Sequence, residues 1–192
     1  MRRLRTLALV SLVALAACQT TTQKAGVEGN KKNEIVAAEI DRRIDELRYL
    51  HGSDLLQSMT RLVAIGDPAR ESIRAGAKSD DWLTRASLAW VMGATSDRRY
   101  IDDLRGMLAD QVSGVRYEAA AALVTLGDSS GFAVLVAGLS DADIRARYKC
   151  FESLKRATGQ DFGYRHDAAP ETRRVAVTRW ADWLEGLRAN AL

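Results

Sequence analysis

The chain repeats itself every 31 residues, and that period constrains its fold more than any other property of the sequence. Shifted by 31, Ile73 and Ala77 fall on Leu104 and Leu108, then on Leu135 and Leu139. Arg85 falls on Arg116 and Arg147, Asp97 on Asp128, and Asp110 on Asp141. The run Ala89-Trp90-Val91-Met92 falls on Ala120-Ala121-Ala122-Leu123, then on Phe151-Glu152-Ser153-Leu154. Apolar residues within a unit recur at helical spacing, which predicts a pair of helices of about 11–13 residues with short turns. Ala119, Ala120, Ala121 and Ala122 crowd a first helix with small side chains, so a neighbouring helix can come close. One such hairpin cannot bury its apolar faces alone, and successive hairpins must stack. No alternating run bounded by turn residues points to a sheet. The expected fold is all-α: a right-handed solenoid of about four helical hairpins with a capping helix at each end. First helices are expected on the convex side and second helices on the concave side. Ala119, Ala120, Leu123, Leu135 and Leu139 should be buried.

The flanks depart from the period. Ile35, Ile40, Ile44, Leu47 and Leu50 fall on one helical stripe, with charged residues on the other faces. His51 and Gly52 end that helix, and Ser53 suits the N-cap of the next. This gives an N-terminal capping helix over 34–52 and repeats over 53–158. At the other end, residues 158–164 break the repeat, and Pro170 is placed to open a long helix reaching about Arg188. Val177, Trp180, Leu184 and Leu187 line one side of it. Residues 159–192 are therefore expected to be a connector and a C-terminal capping helix, since a stack needs ends with one polar face. Trp180 and Trp183 have a second reading as anchors for a partner, because tryptophan is enriched in binding hot spots.

The stretch from Val115 to Asp128 carries a Val115-Arg116 pair, an alanine-rich run and then Leu126-Gly127-Asp128 before the second helix. In these residues the chain resembles HEAT repeats of the short bacterial type, the kind found in phycobilin-lyase-like proteins. The resemblance covers roughly residues 54–158 and is strongest at 113–141. Units 54–79 and 82–110 are degenerate: Asp81-Trp82-Leu83-Thr84 lacks the Val-Arg pair, and Met92-Gly93-Ala94-Thr95 blurs the turn. The resemblance implies a helical solenoid. It says little about activity, because such folds host many unrelated roles, and lyase chemistry would rest on the family's name alone.

The N-terminus speaks to location. Arg2, Arg3 and Arg5 precede an apolar stretch from Leu7 to Ala17, which ends in Leu15-Ala16-Ala17-Cys18. This is the layout of a secretory signal, and the stretch is well short of the roughly 20 residues that span a bilayer as a helix. Leu15-Ala16-Ala17-Cys18 resembles the lipobox of bacterial lipoproteins. That resemblance implies a signal peptide over 1–17 and lipid attachment at Cys18, which becomes the first mature residue; the bland alternative is an ordinary signal followed by a chance cysteine. Residues 18–33 then form a lipidated flexible tether of polar composition. Gln19 stands where an aspartate commonly retains the resembling lipoproteins at the inner membrane, which implies the outer membrane, facing the periplasm, in a two-membrane cell.

Processing would also change the charge. The whole chain holds 28 Lys and Arg against 25 Asp and Glu, and the signal removes three arginines, leaving 25 of each. A nucleic-acid partner needs a basic surplus or stripe, so none is expected. Cys150 would lack a partner within the mature chain. Its place in a helical run suits a small buried apolar residue; a reactive thiol or an intermolecular bridge is the alternative.

A search for chemistry finds little. His51 and His166 stand without a Cys or carboxylate set at metal-ligand spacing. Asp80-Asp81, Asp102-Asp103 and the pair Asp141 and Asp143 sit where acids favour helix starts. No Gly-rich phosphate loop or nucleophile elbow appears. No catalytic residue, cofactor or metal is therefore expected. One contrast between repeats stands out: where one unit has Asp103 and Arg105, the next has Val134 and Val136. With Phe132, Ala133, Ala137 and Gly138, helix 129–139 carries no charge. Either the C-terminal helix covers it or it forms an exposed groove, with Phe132, Val134, Val136, Trp180 and Trp183 as partner-binding residues. The expected function is a lipid-anchored, non-catalytic scaffold that holds another envelope protein and meets the membrane through Cys18. The alternatives are an enzyme accessory or lyase-like protein with a small ligand, and a protein that binds an envelope polymer.

Overall fold

A computed structural model describes residues 33–189. The expected signal peptide over 1–17, Cys18 and nearly all of the expected tether lie outside the described residues. Helix α1 covers 33–46. It is followed by α2 (Gly52–Ile65), α3 (Arg70–Gly76), α4 (Trp82–Ala94), α5 (Ile101–Met107), α6 (Ser113–Thr125), α7 (Gly131–Gly138), α8 (Ile144–Thr158) and α9 (Pro170–Ala189). Short 3₁₀ turns occupy Leu47–Tyr49, Asp67–Ala69 and Arg98–Tyr100. No strand occurs among the described residues, and no helix there is long and apolar enough to cross a membrane. The fold is an all-α solenoid of stacked hairpins.

The chain divides into two compact units, residues 1–42 and 43–192. In the first, residues 33–38 are exposed, including Ile35 of the expected apolar stripe, and Arg42 pairs with Glu39 at 2.7 Å. The second holds all the repeats. There Ile44 and Leu47 are buried, and Ile44 lies against Gly76, where a β-carbon would meet it at 2.6 Å.

The hairpins are unequal. First helices α2, α4, α6 and α8 have 14, 13, 13 and 15 residues, whereas second helices α3, α5 and α7 have 7, 7 and 8. The expectation of 11–13 residues for both is thus corrected for the second helices. Part of each second segment is spent on turns: 3₁₀ turns precede α3 and α5, and the chain leaves helix again at Ala77, Leu108 and Leu139.

The register arginines explain how one hairpin passes to the next. Backbone carbonyls in a turn need donors, and Nη1 of each arginine serves two of them in the turn before its own helix. Arg85 donates to Ser79 O and Asp80 O at 2.8 and 3.0 Å. Arg116 donates to Asp110 O and Gln111 O at 2.7 and 3.1 Å. Arg147 donates to Asp141 O and Ala142 O, both at 2.8 Å. Between the repeats lies the core, where Leu62, Ile73, Leu88, Leu104, Ala119, Ala120, Leu123, Leu135 and Leu139 are fully buried. Small residues set the spacing, as expected. A β-carbon on Gly93 would sit 2.7 Å from that of Ala122, across the α4–α6 contact, and one on Gly131 would overlap the carbonyl oxygen of Ala120.

The C-terminal helix roofs α7. Trp180 is wholly buried in a cluster that includes Leu135, Val136, Leu139, Cys150, Phe151 and Leu154, with Phe132, Val134 and Trp183 packed against it. Phe162 and Trp183 meet the Trp180 ring edge-on at 4.8 and 5.5 Å, and Phe132 meets Trp183 at 5.0 Å. Tyr164 fastens the connector by donating from its hydroxyl to Leu139 O at 2.5 Å. Of the two arrangements expected for helix 129–139, cover by the C-terminal helix is the one found: Val136 and Trp180 are buried, and Phe132, Val134 and Trp183 pack half-buried against them rather than lining an open groove. An uncharged helix loses little solvation when another helix covers it. Cys150 is buried in the same cluster, and burial pushes its thiol up to about 12.

Two outcomes follow from this packing. Val134→Asp should lower stability by about 1–3 kcal/mol, because the new carboxylate has to sit against the Trp180 cluster; thermal melting measures it. The Arg85–Asp110 pair is nearly buried, with contacts of 2.7 and 3.0 Å. Arg85→Met should cost about 3–5 kcal/mol by leaving Asp110 without its partner. The hydrogen bond from Arg85 holds the Asp110 carboxyl below its ordinary value. Its stabilisation is thus complete above the unfolded pKa of about 4 and is lost as pH falls through the lower folded value. Urea unfolding from pH 7 downward should show the gap between wild type and Arg85→Met narrowing in acid.

Candidate functional site

Two open hollows lie side by side along the first helices. The larger, about 730 Å³, is lined by α4, α6 and α8 through residues such as Trp90, Ala121, Val124, Tyr148 and Glu152. The smaller, about 420 Å³, is lined by α2, α4, α6 and α8 through Leu55, Met59, Trp82, Leu83, Gly114 and Ala146. Trp90, Glu118 and Lys149 border both and form the ridge between them. Both hollows thus lie on the row of first helices.

The ridge is a product of the repeat register. Ser87, Glu118 and Lys149 are 31 residues apart, so they occupy the same position on three neighbouring first helices. At the first of these positions Ser87 is buried. At the next two the side chains are opposite charges, and Lys149 Nζ meets Glu118 Oε1 at 2.6 Å. Burial raises the Glu118 pKa above its ordinary value, and the attraction of Lys149 offsets only part of that effect. Around the pair stand large apolar side chains left in contact with water. Trp82 is 50% exposed and Tyr148 49% exposed, with Leu56 and Ile144 comparable. The site can therefore offer a dry apolar wall, one acid whose proton is held more tightly than usual, and one ammonium group.

Most of the residues screened for chemistry by type have structural partners. Asp81 accepts from Thr84 N at 2.7 Å and Asp143 from Arg145 N at 2.9 Å, each as the N-cap of its helix. Asp103 pairs with Arg74 and Asp102 with Arg105, while Asp141 accepts from the Tyr117 hydroxyl. His166 gives its carbonyl to Arg147 and sets its ring edge on Tyr148 at 4.9 Å. His51 is the N-cap residue of α2 without a side-chain bond there. Among the described residues no group of three or more His, Cys, Asp or Glu is placed to hold a metal ion. The ridge escaped the sequence reading, which aligned the repeats by likeness: Ser87, Glu118 and Lys149 are unlike, and their opposite charges were the available signal.

Linkage gives the ridge a testable signature. A carboxyl whose folded pKa is raised weakens the fold as pH climbs through its unfolded value toward its folded one. Glu118→Gln removes that penalty, so the variant should gain stability relative to wild type between about pH 4 and neutrality. Urea midpoints for both proteins across that range would check it, and a variant that loses ground as pH rises contradicts the sign.

Residues 69–155 match the family model of HEAT repeats, a likeness that agrees with the stacked hairpins of that segment. The match spans α3 to α7 and most of α8, and so includes α4, α6 and most of α8, which line the larger hollow. No curated protein matches the chain.

Proposed function

We propose that this protein is a lipid-anchored scaffold of the bacterial envelope that holds another envelope protein along its first helices. HEAT repeats commonly serve as protein-interaction scaffolds, and the HEAT match supports that part of the reading. The observation that carries it furthest is the pair of hollows running across successive repeats, with Trp82 and Tyr148 half exposed beside them. A shallow surface of that extent suits a protein segment, whereas a small-molecule site tends to enclose its ligand. Support for the anchor comes from Arg2, Arg3 and Arg5, the apolar stretch and Cys18 alone. The outer membrane is the proposed location, with the repeats in the periplasm. The partner is taken to be a protein rather than a nucleic acid, given the balanced charge of the mature chain.

One observation favours a second reading, a non-scaffold protein that binds a small ligand. Glu118, with its raised pKa, and Lys149 face a hollow of about 730 Å³, which is within the size range of ligand pockets.

Photo-crosslinking in intact envelopes separates the readings. A photoreactive residue replacing Trp82 or Tyr148 should yield one common protein adduct. The same residue at Val175, exposed on α9, should yield none. In Cys18→Ser the precursor should stay unprocessed or leave the membrane fraction, and the adduct should disappear with it. No adduct from either groove position sinks the scaffold, and a correctly processed, membrane-bound Cys18→Ser protein sinks the anchor.

A further inference from the structure

The three register arginines use one edge of the guanidinium identically and the other edge differently. Nη1 is fixed by two turn carbonyls in every case. The opposite edge, Nε with Nη2, is the fork that matches a carboxylate in a two-point contact. In Arg85 that edge grips Asp110, with Nε to Oδ2 at 2.7 Å and Nη2 to Oδ1 at 3.0 Å. In Arg147 its Nε donates to His166 O at 3.0 Å. In Arg116, among the described residues, neither Nε nor Nη2 has an acceptor. The side chain is half buried, and its anchored Nη1 fixes the plane in which the open edge lies.

The cause of the vacancy is visible one residue away. By register, the acid that should close the Arg116 fork is Asp141, the equivalent of Asp110. The residue next to Arg85 is Ala86, which has nothing to offer Asp110. The residue next to Arg116 is Tyr117, and its hydroxyl donates to Asp141 Oδ2 at 2.7 Å while Asp143 N donates to Oδ1 at 2.8 Å. Asp141 is thereby held away. Asp110, whose field also reaches Arg116, has its two oxygens engaged by Arg85 and Val112 N.

We propose that Arg116 is a binding site for a carboxylate, occupied by an acidic side chain of the protein partner. The ligand class is what the same fork already holds at Arg85 within this chain. The contact requires little ordering on binding, because the turn carbonyls have oriented the guanidinium in advance. The proposal deepens the scaffold reading and rests on it for the identity of the partner as a protein. Its chemistry is testable without that partner.

The test follows the Nε–H resonances of the arginines in the full-length folded protein by ¹⁵N NMR. The probes are a blocked tripeptide with a central aspartate, its asparagine counterpart, and sodium acetate. The Arg116 signal should shift and saturate with the aspartyl peptide, about threefold more tightly than with acetate, and should ignore the asparagine peptide. The Arg85 signal should stay in place. In Tyr117→Phe, Asp141 is released to close the fork, and the Arg116 response should vanish with the fold intact. A response at Arg116 no larger than at the exposed Arg156 overturns the site. Equal binding of acetate and peptide overturns its assignment to a side chain, and an undiminished response in Tyr117→Phe overturns the account of why the fork is open. Groove crosslinks from Trp82 and Tyr148 do not depend on Arg116, so failure here leaves the scaffold reading to stand or fall separately.

Discussion

Each hairpin of this stack ends in a turn whose carbonyls need donors, and an arginine from the following first helix supplies them. A guanidinium does this where an ammonium would not, because one rigid plane presents donors along two edges at once. One edge of Arg85 closes the turn before its helix, while the other grips the acid of the turn after it. The same side chain therefore fixes both the local turn and the distance to the next repeat. Second helices are laced in a similar way. Arg98 Nη1 donates to Leu126 O at 2.6 Å, Arg105 pairs with Asp128 at 2.6 Å, and Arg74 pairs with Asp103 at 2.9 Å. Pairs of this kind, whether nearly buried or partly exposed, gain little net energy. Their effect is on geometry: they admit one register between neighbours, while the leucine core would tolerate several.

Against that regular frame, the informative positions are the ones where the repeats disagree. Position 86 is alanine in one unit and becomes Tyr117 and Tyr148 in the next two. The first tyrosine diverts Asp141, and the second opens half its surface to water beside the larger hollow. Position 103 with 105 is a charged pair in one unit and becomes Val134 and Val136 in the next. That change ends the lacing by charge and begins the apolar roof of α9. Among the described residues α9, rather than a further hairpin, covers that end of the stack.

Much of this was legible beforehand, for reasons that can be located. The leucines at 123, 135 and 139 are buried as expected, because a core position demands bulk and apolarity, which a shift of 31 residues displays directly. Short second helices were not legible, since residues such as Arg98-Arg99-Tyr100 suit a 3₁₀ turn and a helix equally well by composition. The fate of α7 was undecided because an uncharged helix is equally consistent with a roof and a groove; the edge-on contacts of Phe132, Trp183 and Trp180 resolve it through side chains distant in sequence. The hollows were hidden for a related reason. They are lined by residues from three or four helices, and a linear pattern of apolar residues carries no record of that assembly.

The ridge at Glu118 raises a question that stability alone does not answer. Burial disfavours the Glu118 carboxylate, and Lys149 only partly offsets the cost. The fold itself has no need of a charge there, since the equivalent positions in earlier repeats hold Leu56 and Ser87. Neither the packing of α6 on α4, which runs through Gly93 and Ala122, nor the closure of the turn, which runs through Arg116, involves this side chain. What Glu118 does make is the ion pair to Lys149, which links α6 to α8 at the ridge between the two hollows. The proposed partner would then be read by shape and apolar contact in the hollows and by a polar contact at the ridge between them.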